Sequence, residues 1–73
     1  MNKLYNAAMS RAIAEKETAI STLEIYFTKA VAIGEHPDFA TEIDKYVDIL
    51  SNSLDKINAL HVYQREVFPD SEV

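Results

Sequence analysis

Cysteine is absent, glycine occurs once, proline twice, and seven positive side chains face twelve carboxylates. Without cysteine there is no disulfide framework, no thiolate metal cluster and no thiol nucleophile. One glycine cannot build a phosphate-cradling loop, a dinucleotide fingerprint or a series of tight β-turns. The net charge of −5 argues against sequence-independent binding to DNA or RNA, because the lysines and arginines are outnumbered at any phosphate backbone. The charges are also too interspersed for a mimic of DNA, which would carry a dense acidic field. Apolar runs are short. The longest, Ala30 to Ile33, is far below a membrane span, so no membrane partner is expected. The opening residues Met1 to Asn6 hold one lysine but no apolar core or cleavage site, so no secretory signal is expected and a cytoplasmic location is.

What is present is an acidic chain of 73 residues, 48% hydrophobic, whose internal punctuation gathers at one place. Gly34-Glu35-His36-Pro37-Asp38 divides the chain into two long stretches free of glycine and proline. Gly34 stands where a helix C′ residue turns left-handed, and Pro37 fits the first turn of a following helix. His36 or Asp38 supplies the cap, and Glu35, Asp38 and Glu42 put negative charge at that helix start. The pattern predicts an all-α fold, a single hairpin domain of two long antiparallel helices spanning 1–73. Its parts are a helix over about 3–33, a turn over 34–38, a helix over about 38–67 and a polar tail over 69–73.

In the first stretch Met9, Ile13, Ile20, Leu23, Phe27 and Ala30 recur at helical spacing and are expected to form the inward stripe. Lys16 falls within it, so either its stem lies along the core while its ammonium reaches water, or the helix bends there. Ala7, Ala8, Ala12, Ala14 and Ala19 flank the stripe and would allow a close helix–helix approach. Ser21-Thr22-Leu23-Glu24 resembles a capping box, although a continuous helix is expected because nothing interrupts the pattern. In the second stretch Phe39, Ile43, Tyr46, Leu50, Ile57 and Leu60 form a seam, with Ala40, Val47, Leu54 and His61 expected to widen it on one side. Ile49, Val62, Tyr63 and Phe68 in this half, and Leu4, Tyr5, Ile25 and Tyr26 in the other, lie off these lines. That is more apolar surface than two helices cover, and it predicts an oligomer, most simply a homodimer closing a four-helix bundle.

Charge divides unevenly. Residues 1–33 carry Lys3, Arg11, Lys16 and Lys29 against Glu15, Glu17 and Glu24, a net of +1. Residues 34–73 carry Lys45, Lys56 and Arg65 against nine carboxylates, a net of −6. This reads as a solvated acidic face, or as a device that orients subunits.

Candidate chemistry is sparse. Glu35, His36, Asp38 and Glu42 could hold a divalent ion or pair as base and orienter, yet the Glu-x-x-His spacing of a helical metal site is missing, and helix capping explains the cluster. His61 reads as a core or interface histidine. The serines lack a base-and-orienter context, so no enzyme activity and no cofactor are expected. The tyrosines hold more interest, because a tyrosine buries a large ring and keeps a polar handle. Tyr26 has Lys29 within a turn, Tyr63 has Arg65 nearby, and Tyr5 precedes Arg11. Tyr5, Arg11, Tyr26, Lys29, His36 and Tyr63 are therefore the candidate ligand-binding set, converging between subunits on a small planar anion of nucleotide type. Filling a core or a subunit interface is the competing role for the tyrosines.

The stretch Ala30-Val31-Ala32-Ile33-Gly34-Glu35-His36-Pro37-Asp38, with Ile43-Asp44-Lys45 and Leu54-Asp55-Lys56-Ile57, resembles small uncharacterised proteins of tailed bacteriophages. Those share an Ile-Gly-Glu-His turn between a tyrosine-containing first helix and an acidic second one. The likeness covers roughly residues 20–60 and carries no functional residues with it. It implies an accessory factor in the bacterial host cytoplasm that binds a host component, in host takeover or anti-defence. An oligomeric sponge for a nucleotide-type signal and a structural or assembly protein are the alternatives.

Overall fold

The computed structural model describes residues 2–29 and 39–67. These form two α-helices, α1 (Lys3–Lys29) and α2 (Phe39–Val67), running antiparallel as a hairpin with Cα extents of 54 × 16 × 15 Å. The all-α hairpin expected from the spacing is thus the observed architecture. The expected end of the first helix at Ile33, the turn, His36 and the tail lie outside the described residues.

Asn2 starts α1. Its Oδ1 accepts hydrogen bonds from the backbone N–H groups of Leu4 (2.6 Å) and Tyr5 (3.2 Å), satisfying two donors that a helix start leaves orphaned. Lys29 in the last turn of α1 and Arg65 in that of α2 place positive charge where the helix dipoles favour it, and Glu42 does the converse in the first turn of α2. Helix α1 is continuous through Ser21–Glu24, so the capping-box sequence there starts nothing. Thr28 instead donates its hydroxyl proton to the Glu24 carbonyl at 2.7 Å.

The inward face of α1 differs from the expected stripe. Ala12, Ala19 and Leu23 are buried, with Tyr5, Met9, Lys16 and Tyr26 half-buried, whereas Ile13, Ile20 and Phe27 are exposed. The seam is Tyr5-Met9-Ala12-Lys16-Ala19-Leu23-Tyr26, alternating steps of four and three. In α2 the seam is Phe39-Ile43-Tyr46-Leu50-Ser53-Ile57-Leu60-Gln64. It contains every residue expected there and adds Ser53 and Gln64. Ser53 is fully buried and donates its hydroxyl proton to the Leu50 carbonyl at 2.9 Å. Ala40, Val47, Leu54 and His61 do not widen this seam; all four are exposed.

The reason for the difference is size. Ala12, Ala19 and Ser53 present almost no side chain, so the helix axes can close toward the short end of the roughly 8–10 Å packing range. Beside these small positions the bulkier seam residues, Ile43, Leu50 and Ile57 among them, are half-buried, while Ile13 and Ile20 stand one position outside the seam. Lys16 resolves as its first alternative: the helix does not break, and its ammonium lies 3.6 Å from Glu17 at a side-chain exposure of 29%.

Candidate binding surfaces

A hairpin of two helices has two broad faces, and the seams assign residues to each. Seen down the long axis, antiparallel helices wind in opposite senses. The residue that follows each of Tyr5, Ala12, Ala19 and Tyr26 therefore falls on the same side as the residue that follows each of Phe39, Tyr46, Ser53 and Leu60. Those followers are Asn6, Ile13, Ile20 and Phe27 on α1, and Ala40, Val47, Leu54 and His61 on α2. None carries a carboxylate, ammonium or guanidinium. Ile13, Ile20, Phe27, Val47 and Leu54 are each between 40% and 60% exposed. This is a two-column apolar strip along one face. Tyr5 against Leu60 and Tyr26 against Phe39 set the register, bringing Ile13 level with Leu54 and Ile20 level with Val47.

The opposite face is polar and grooved. Lys56 Nζ lies 3.0 Å from Glu15 Oε1, joining α2 to α1 across it. A shallow groove of about 360 Å³ is lined by Ala8, Arg11, Ala12, Glu15, Lys56, Ala59 and Leu60. A second, of about 400 Å³, lies toward the turn between Ala14, Glu15, Thr18, Tyr46 and Ile49. A third, of about 330 Å³, lies at the other end against Asn2, Leu4, Tyr5, Leu60 and Tyr63. In the first two grooves alanines, Ala8, Ala12 and Ala59 in one and Ala14 in the other, leave space between the longer side chains.

The candidate residues separate into two clusters at opposite ends. At the open end the rings of Tyr5 and Tyr63 stack with centroids 6.3 Å apart. The Tyr5 hydroxyl lies 2.9 Å from the Leu60 carbonyl and 3.1 Å from Gln64 Oε1, and its one proton is donated to one of them at a time. Tyr5 is thus a strut between the helices, with only its ring edge left to the groove. Arg11 stands at the rim of the neighbouring groove. At the end where Lys29 and Phe39 lie, Tyr26 meets Phe39 edge-on at 5.0 Å and Tyr46 at 6.2 Å, while Lys45 Nζ lies 5.4 Å above the Tyr46 ring. Lys29 is exposed one turn beyond Tyr26. Tyr5 and Tyr26 stand about 31 Å apart along α1, at about 1.5 Å per residue. One protomer therefore does not bring the candidate set together. His36 lies outside the described residues.

His61 is exposed on the apolar strip, outside the protomer's core, which leaves the interface alternative of its reading. Tyr5 and Tyr26 are half-buried between the helices, in keeping with the packing role weighed for them. Missed in the sequence were the Asn2 cap, the buried Ser53 and the division into an apolar and a grooved face. The first was readable, since asparagine directly precedes a helical run. The last follows once the alanine seam is recognised.

Among the described residues no three His, Asp or Glu side chains come together as a metal-ion site, and no helix is long and apolar enough to cross a membrane. No protein-family model, no curated protein and no solved structure matches this chain.

Proposed function

We propose that this chain is a non-enzymatic binding protein that works as an oligomer, a phage accessory factor acting in the cytoplasm of a bacterial host on a host component. One observation supports this most: five large apolar side chains stand exposed in register on an uncharged strip, while among the described residues the buried apolar side chains are Ala12, Ala19 and Leu23. Contiguous apolar surface of that kind serves association. The phage context comes from the resemblance around Ile33 to Asp38. The tagged oligomer incubated with bacterial lysate is expected to retain a host protein in stoichiometric amount, lost on Tyr63→Ala. A clean lane at native expression levels contradicts host-protein binding.

The sponge is the second reading, favoured by Arg11 and the Tyr5–Tyr63 stack sharing the grooved face. It predicts a rise in melting temperature with some member of a nucleotide panel, as linkage demands of any ligand bound only by the folded state. Arg11→Ala should abolish that rise. No rise with any nucleotide removes this reading.

A further inference from the structure

The oligomeric reading leaves open which face associates and with what; resting on that reading, we infer that the apolar strip of Ile13, Ile20, Phe27, Val47 and Leu54 is covered by the same strip of a second copy of this chain. Three observations point to a second copy. The first is area. Helix α1 has 27 residues. At about 1.5 Å per residue the face is about 40 Å long, and two helices side by side make it about 20 Å wide. The whole face, with the charged rim of Glu17, Glu24, Asp44 and Arg65 around the strip, is about 800 Å² per copy, the order of what each partner contributes to an interface of standard size.

The second is charge. The strip positions hold no charged side chain, so pairing the face with itself buries no unpaired ion in the strip and meets no like-charge repulsion there. The Glu15–Lys56 pair and Arg11 stay on the outer, grooved face, in water. The third is the thinness of the core. Among the described residues three apolar side chains are buried and the other apolar seam residues are half-buried, and a two-helix hairpin covered so thinly gains stability from association. The cover present wherever and whenever the chain folds is another copy of itself. A two-fold pairing of strip on strip closes a four-helix bundle with Ile13, Ile20, Val47 and Leu54 in its centre. It also leaves the grooved face of each copy free, which assigns self-association and ligand or partner contact to opposite sides.

Sedimentation equilibrium on the full chain tests this, using Ile20→Ala and Leu54→Ala against Ile25→Ala. Alanine keeps helix propensity high, and Ile25 is 56% exposed outside the strip. The dissociation constant of the dimer is expected to rise by about tenfold or more for the two strip variants, each change being made twice per dimer, and to stay within about twofold for Ile25→Ala. In the unsubstituted chain, methyl resonances of Ile13, Ile20, Val47 and Leu54 should shift on dilution while those of Ile25 and Val62 do not. That readout serves even where a variant loses its circular-dichroism helix signal. An oligomer indifferent to both strip variants, with unmoved strip methyls, overturns the inference but leaves the oligomeric reading standing. A monomer at every concentration overturns both.

Discussion

Asn2 does for α1 what no acidic residue in its first turn is present to do. One side-chain oxygen takes two backbone N–H groups, and its removal leaves both to water. Asn2→Ala should lower the unfolding free energy by about 1 kcal/mol in urea titration at fixed protein concentration; an unchanged midpoint would show that the cap is idle. Ser53 makes the opposite case. Its buried hydroxyl is satisfied by the Leu50 carbonyl in its own helix, a bond that competes with regular helix geometry. Ser53→Ala removes donor and hydroxyl together without a cavity, and alanine is the better helix former. The expected result is stability equal to or up to about 0.5 kcal/mol above the parent. A loss of more than about 1 kcal/mol would mean that the hydroxyl holds something across the seam.

At the scale of the helix, the two elements were not equally legible. The seam of α2 could be read because bulky residues occupy most of it, from Phe39 to Leu60. The seam of α1 has its two most buried positions at Ala12 and Ala19, and alanine carries little hydrophobic signal. Beside it runs Ile13-Ile20-Phe27, one position over and with the same seven-residue recurrence. Periodicity alone cannot tell which of two adjacent columns faces the partner helix, and side-chain volume pointed to the wrong one. The same ambiguity placed Ala40, Val47, Leu54 and His61 beside the α2 seam and concealed that they share a face with the isoleucines. The tyrosines were harder still, because their roles depend on which end of the hairpin each occupies. A direct check on the alanine seam is Ala19→Leu. Overpacking a fully buried position between close helices should cost about 1–3 kcal/mol. Lys16 sits on the same seam, where a polar residue fixes register at some cost in stability. Lys16→Leu should raise stability by roughly 1 kcal/mol in the same urea titration, and a decrease would show that the ammonium has a partner beyond Glu17.

For the molecule as a whole, the hairpin has a thin internal seam, a grooved polar side and an uncharged apolar side. With no cysteine, the chain has no disulfide or thiolate metal site to staple so short a fold. The association proposed above has a signature, a melting temperature that rises with protein concentration through mass action. Mass in solution most directly tests the proposal that the chain is an oligomer built on its apolar strip. Light scattering across a concentration series should give a multiple of the 8.3 kDa protomer mass, falling toward one protomer only on strong dilution. A folded, fully helical species that stays at 8.3 kDa at every concentration would contradict it.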